Sequence, residues 1–185
     1  MLFRSPPPSK SLSHRAIICA SLCNDGQESC IDNVILSDDI EATIYGMKQL
    51  GAKIEMIQNG NNIYSLHIKG NNNQIIKNAN INCRESGSTL RFLIPIALIL
   101  SETSTFIGQG KLTERPLDIY YKIFDQYNIK YKNTNGKLPL YIHGNLQDGI
   151  YELSGKVSSQ FISGLLFALP LLHKDSVIKI TDKLE

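Results

Sequence analysis

This 185-residue sequence predicts an α/β protein made of repeated strand–helix units. Three observations predict it. First, a cluster of small hydroxyl residues and cations opens an apolar, helix-like run in three places: SKSLSHRAIICASL from Ser9, ESGSTLRFLIPIALIL from Glu85, and SGKVSSQFISGLLFALPLL from Ser154. Second, these copies lie roughly 70 residues apart, as expected of a duplicated supersecondary unit. Third, each of the first two runs leads through a strand and an amphipathic helix into a pair of strand-like segments around Asn/Gly turn residues.

Each element can be justified in order. Ser11 to Asn24 reads as a helix with Leu12, Ala16, Cys19, Ala20 and Cys23 on its core face, closed by Asp25-Gly26. A strand follows around Cys30 to Ile35. Ser37 then caps a helix whose first turn carries Asp38 and Asp39, where acids complement the helix dipole. Ile40, Ile44, Met47 and Leu50 recur at helical spacing, and Gly51 ends the run. Lys53 to Gln58 and Ile63 to Lys69 make a hairpin around Asn59-Gly60. The order then repeats: a strand near Ala79 to Cys83, an apolar helix from Gly87 to Leu100, and a strand near Thr105 to Gly108. After the loop GQGKLTERPL, Pro116 opens a helix through Tyr120, Ile123, Phe124 and Tyr127. Ile129 to Lys132 and Leu138 to His143 pair across Asn133 to Gly136. A third unit runs through Gly149 to Leu153, a helix from Ser159 to Leu172, and a strand at Ser176 to Thr181.

The unit is therefore βαβαββ, with two copies essentially complete and a third lacking its second helix and hairpin. Its apolar helices are hydrophobic nearly all round and are expected at the centre, with the amphipathic helices and the sheets outside. The truncated third unit is expected to leave core surface uncovered. Residues 1–185 then form one domain.

Composition narrows the function. A net charge of +2, with no basic run, argues against nucleic acid. Cys19, Cys23, Cys30 and Cys83 have no disulfide or zinc spacing and read as buried or half-buried thiols of a reducing compartment. The N-terminus has no apolar signal segment, and the run from Phe92 to Leu100 is too short for a membrane span, so a soluble cytoplasmic protein without a membrane partner is expected. No Walker loop, dinucleotide fingerprint, serine elbow or metal-ligand spacing is found, and neither cofactor nor metal is expected.

The clusters themselves carry chemistry. Helix N-termini present unpaired N–H groups and a positive dipole end, which suit phosphate or carboxylate. Lys10 supplies a point charge, whereas Arg15, Arg91 and Arg115 supply planar forks for bidentate contact with such groups. Gly87 suits close backbone approach to a ligand, and Ser11, Ser158, Ser159 and Gln160 can donate to anionic oxygens. His14, beside Arg15, is a further candidate to line the site, weighed against an ordinary buried histidine. Taken singly, each serine reads as a plain N-cap; three such ends together point to a polyanionic small molecule.

The strings PSKSLSHRA, ESGSTLRF, GKLTERPL and VSSQFISGLL, in this order and spacing, resemble the 5-enolpyruvylshikimate-3-phosphate synthase family from about Pro8 to the last residue. The resemblance implies the enolpyruvyl-transferase fold, with each of two domains built from three βαβαββ repeats around buried parallel helices, of which this chain is most of the N-terminal domain. It implies transfer of the enolpyruvyl group of phosphoenolpyruvate to the 5-hydroxyl of shikimate-3-phosphate. It also implies roles: Lys10 contacts both substrates, while Ser11, Arg15, Ser158 and Ser159 hold shikimate-3-phosphate. Gly87 and Arg115 hold phosphoenolpyruvate, Gln160 reaches both ligands, and Arg91 supports the site. Apart from the resemblance, the Lys10 amine is a candidate to share in proton transfer where its neighbours favour it. Pro8 and Glu85 depart from the family's usual Gly and Asn.

The family's acid/base carboxylates belong to the half expected to be missing, the C-terminal domain of the same enzyme. A binding half without turnover is therefore the rival expectation. The related transferase acting on UDP-N-acetylglucosamine is disfavoured, because the resemblance would require a reactive Cys in the loop Lys111 to Arg115, and none is there.

Overall fold

The computed structural model describes residues 8–183 and arranges them as the repeat anticipates. The first unit comprises α1 (Lys10–Leu22), β1 (Glu28–Ile35), α2 (Asp38–Gln49), β2 (Lys53–Gly60) and β3 (Ile63–Lys69). The second comprises β4 (Ile76–Asn82), α3 (Gly87–Leu100), β5 (Ser101–Ile107), α4 (Asp118–Gln126), β6 (Lys130–Thr134) and β7 (Lys137–His143). The third comprises β8 (Ile150–Leu153), α5 (Ser159–Ala168) and β9 (Val177–Ile180).

Each unit has its own sheet, with orders β1-β3-β2, β4-β5-β7-β6 and β8-β9. β4 pairs in parallel with β5 and β8 with β9, so α3 and α5 are the crossover connections that parallel pairing requires. β1-β3-β2 and β5-β7-β6 are antiparallel. β4, the opening strand of the second unit, has no counterpart before α1 among the described residues.

α3 is the centre. Gly87, every residue from Thr89 to Leu98, and Leu100 are buried. Pro95 lies inside it and has no N–H, so the Arg91 carbonyl loses its usual helical donor. The Tyr120 hydroxyl from α4 donates to that carbonyl instead, and burial raises the phenol pKa. Gly164 then lets α5 come close: a Cβ there would sit 2.4 Å from the Arg91 carbonyl oxygen and 2.5 Å from the Tyr120 hydroxyl.

Several expectations are corrected. α1 and α5 are not buried all round: Leu12 on α1 is 67% exposed and Leu166 on α5 is 59% exposed. The core face of α1 is Ser13, His14, Ile17, Ile18, Ala20 and Ser21, not the set through Leu12, Cys19 and Cys23. Small hydroxyls tolerate burial where they bond backbone carbonyls, as the Ser13 hydroxyl does to Ser9 O at 3.1 Å. Of the cysteines only Cys83 is buried, while Cys19, Cys23 and Cys30 are exposed. The first hairpin turns at Asn61-Asn62, because β2 runs on through Gly60, which pairs with Ile63, and Asn62 takes the positive φ of 57°. α4 begins at Asp118, with Leu117 as its N-cap, so Pro116 lies just outside the helix.

Candidate anion-binding site

The three clusters sit on the N-terminal ends of α1, α3 and α5, and in each the leading serine is the cap. Ser9, Ser86 and Ser158 accept from the backbone N–H of Leu12, Thr89 and Gln160 respectively. The cap role is thus real for the first hydroxyl of each cluster and leaves the later polar groups free for other work.

At the α1 end, Lys10 pairs with Asp39 of α2. The Arg15 guanidinium donates back to Ser11, to its hydroxyl at 2.7 Å and its carbonyl at 3.0 Å, one helical turn earlier. Its other nitrogen reaches Ser163 of α5 at 3.3 Å, and the guanidinium carbon lies 5.3 Å from the Phe92 ring centre on α3. Arg15 is thus held chiefly within α1, with longer contacts to mid-helix residues of α3 and α5.

At the α3 end, Arg91 donates to the Gln160 side-chain oxygen at 2.7 Å, and the Gln160 amide nitrogen donates to the Ser88 hydroxyl at 2.8 Å. Arg91 also stacks over Phe161 at 4.9 Å. Arg115, from the loop before α4, closes the cluster against Gly87: a Cβ on Gly87 would lie 2.6 Å from the Arg115 Nη1 and 3.7 Å from the Arg91 Nη1. Burial first, and then the neighbouring Arg115 charge, push the Arg91 guanidinium below its usual pKa. Among the described residues, Arg15, Arg91 and Arg115 make no ion pair with a carboxylate, although Lys10 pairs with Asp39 and Arg84 with Asp38 and Glu41. Two guanidiniums close together, Arg91 buried and Arg115 exposed, neither in an ion pair with a carboxylate, are suited to receive an anion. Ser159 is exposed at the start of α5, and Glu85 lies with its carboxylate against Gly110.

The structure thus brings Arg15 to α5, and Arg91, Arg115, Gly87 and Gln160 to one another; Lys10 and Ser11 face α2 and Arg15. His14 is not a surface residue of the site. It is 2% exposed and bonds Thr43. Sequence reasoning missed Asp39, Thr43, Ser163 and Tyr120. Asp39 had a local signal as a first-turn acid and Ser163 lay within a quoted string, but the partners of all four come from other elements. No group of His, Cys, Asp or Glu with metal-site geometry occurs among the described residues, and no helix there is long and apolar enough to cross a membrane.

Comparison with known proteins identifies the family and the fold. A sequence model of EPSP synthase (3-phosphoshikimate 1-carboxyvinyltransferase) matches residues 5–185. The chain is 57% identical over 179 residues to the 3-phosphoshikimate 1-carboxyvinyltransferase of Clostridium kluyveri, covering 97% of this chain and 40% of that protein. It is 52% identical over 183 residues to the enzyme of the same name from Clostridium novyi, covering 97% of this chain and 42% of that one. Among solved structures, EPSP synthase from Acinetobacter baumannii superposes with a TM-score of 0.74 at 20% identity, covering 97% of this chain and 40% of that chain. This likeness shows the enolpyruvyl-transferase fold. The chain spans about 40% of the length of these curated relatives.

Proposed function

The chain belongs to the EPSP synthase family, and we propose that it supplies the substrate-holding residues for carboxyvinyl transfer from phosphoenolpyruvate to shikimate-3-phosphate. In that reaction the 5-hydroxyl gives up its proton as its oxygen bonds to the central carbon of phosphoenolpyruvate, and the double bond takes a proton at its methylene carbon. The tetrahedral adduct then loses a proton from that methyl group and expels phosphate, restoring the double bond. Both substrates are polyanions, so holding them side by side needs cations that are not already neutralised. The observation that carries the proposal is the group of Arg91, Arg115, Gly87 and Gln160, drawn from three elements with no carboxylate among them. In this reading Arg115 and the Gly87 backbone hold phosphoenolpyruvate, Ser11, Arg15, Ser158 and Ser159 hold shikimate-3-phosphate, and Gln160 lies between them. Arg91 orients Gln160 and adds positive charge. Lys10, already beside Asp39, contacts both ligands and shares in proton transfer. The contribution is positioning and electrostatic stabilisation. The first unit, which lacks an opening strand among the described residues, the complete second and the partial third correspond to most of one domain of a cytoplasmic enzyme.

The chain by itself acts as a binding half. Carboxylates beside the clusters are already engaged: Asp39 pairs with Lys10, Glu114 with Lys137, and Glu85 packs against Gly110. Calorimetric titration of the chain with shikimate-3-phosphate should show saturable binding, weakened about tenfold or more by Arg15→Ala and by Ser159→Ala. Binding unchanged in both variants overturns the proposal. Robust phosphate release from both substrates by the chain alone overturns the binding-half reading.

A further inference from the structure

Beneath the site a chain of buried polar side chains links the starts of α1, α2 and α3. The His14 Nδ1 lies 2.7 Å from the Thr43 hydroxyl of α2. Thr43 lies 2.7 Å from the Thr89 hydroxyl of α3, and Thr89 lies 2.7 Å from the hydroxyl of Ser86, the cap of α3. Thr43 and Thr89 each also lie 3.3 Å from the backbone carbonyl oxygen of Asp39, the residue whose carboxylate takes Lys10. Lys10 and His14 sit one turn apart on α1, so the contacts close a ring: Lys10 to Asp39, Asp39 to Thr43, Thr43 to His14, and His14 back to α1.

The ring has a direction. His14 Nε2 is buried without a partner. An orphaned buried N–H is rarer and costlier than an orphaned acceptor, so the proton sits on Nδ1. Nδ1–H then donates to Thr43, Thr43 to Thr89, and Thr89 to Ser86, whose oxygen also accepts the Thr89 backbone N–H at 3.1 Å. Each hydroxyl has one proton to give, so removing either end leaves a buried donor or acceptor unpaired along the line. The imidazole must stay neutral to fit, since burial disfavours its charged form first, and the Lys10 and Arg15 charges add to that against the opposing Asp39.

We propose that His14 is a positioning residue that, through Thr43 and Thr89, fixes the Lys10–Ser11–Arg15 end of α1 against the Ser86–Gly87 start of α3. It touches neither ligand. Its work is to keep the two anion-holding ends at a constant separation, so that two substrates lie in register; in this functional sense it rests on the two-substrate reading above.

Three variants of the full chain test it: His14→Leu, Thr43→Val, which keeps the shape and removes one hydroxyl, and His14→Asn, whose amide can replace the Nδ1 donor. Without ligand, the first two should shift the backbone amide resonances of Gly87 and Ser88, two helices away, and His14→Asn should return them. Shikimate-3-phosphate affinity should fall about tenfold in His14→Leu and Thr43→Val and recover in His14→Asn. Ring nitrogen shifts in the parent should report a protonated Nδ1. Unmoved Gly87 and Ser88 resonances in Thr43→Val, or His14→Asn behaving as His14→Leu, overturn the proposal. If the parent binds no shikimate-3-phosphate, the substrate reading falls, and the ligand-free amide resonances alone decide the role of His14.

Discussion

Arg15 and Arg91 follow the capping serines of their helices by nearly the same number of residues, yet they are held in different ways. Arg15 is half-buried and bonds mainly to Ser11 of its own helix. Arg91 is 9% exposed, bonds Gln160 of α5, and has its carbonyl bonded by Tyr120 of α4. The same sequence pattern has become a local, adjustable clamp in the first unit and a shared joint between helices in the second. The difference follows from burial: a guanidinium in water can be satisfied by its neighbours in sequence, whereas a desolvated one must recruit partners from other elements. Loss of a residue at the α3 joint should therefore cost stability, and loss of Arg15 should cost binding alone.

The sharpest break of that contrast is Gly164→Ala. The added Cβ meets backbone oxygen at Arg91, which cannot swing away, so α5 must separate from α3. Urea unfolding should show a loss of about 3 kcal/mol. Next in size is acid. Burial pushes the His14 pKa down to about 4 from 6.5, with Asp39 partly opposing and Lys10 and Arg15 adding to the fall. A lowered folded value means that stability is fully present above the unfolded pKa and is lost as pH falls from about 6.5 towards about 4, on the order of 2 kcal/mol. His14→Asn should flatten the stability profile across that window; an unchanged slope would assign it to other groups. Tyr120→Phe leaves the Arg91 carbonyl unpaired beside Pro95 and should cost about 1–2 kcal/mol in the same assay. Gly87→Ala meets the far end of the Arg115 side chain and, at ordinary contact distance, that of Arg91, so melting should barely move while phosphoenolpyruvate binding weakens about tenfold. Smallest in stability is Arg15→Ala, expected within about 0.5 kcal/mol of the parent. A large loss there would erase the contrast between the two arginines.

Much of the architecture could be read from the chain because local signals agreed with the global fold. Gly87–Leu100 has the bounds its apolar run implies, and Ser37 caps α2 over Asp38 and Asp39 as its sequence suggests. The face of α1 could not be read, because its buried side carries Ser13, His14 and Ser21. Ser13 is satisfied within its own turn, by Ser9 O, whereas His14 is satisfied only by Thr43 of another helix, a contact that local spacing does not show. The hairpin slipped from Asn59-Gly60 to Asn61-Asn62 because several neighbouring Asn residues tolerate the left-handed conformation. At the site the residue types suggested the chemistry proposed above, anion binding at helix ends. What they could not tell was the wiring: Arg15 to Ser163, Arg91 to Gln160, and Tyr120 covering for Pro95 are contacts between distant segments.

The claim that these helix ends form one two-substrate surface is tested most directly by residue-resolved amide resonances during titration. Shikimate-3-phosphate should move Ser11, Arg15, Ser159 and Gln160 with a single midpoint, and phosphoenolpyruvate added afterwards should move Gly87, Ser88 and Arg115. Separate midpoints for the α1 and α5 ends, or movement confined to the outer sheet residues Lys130 and Lys132, would contradict it.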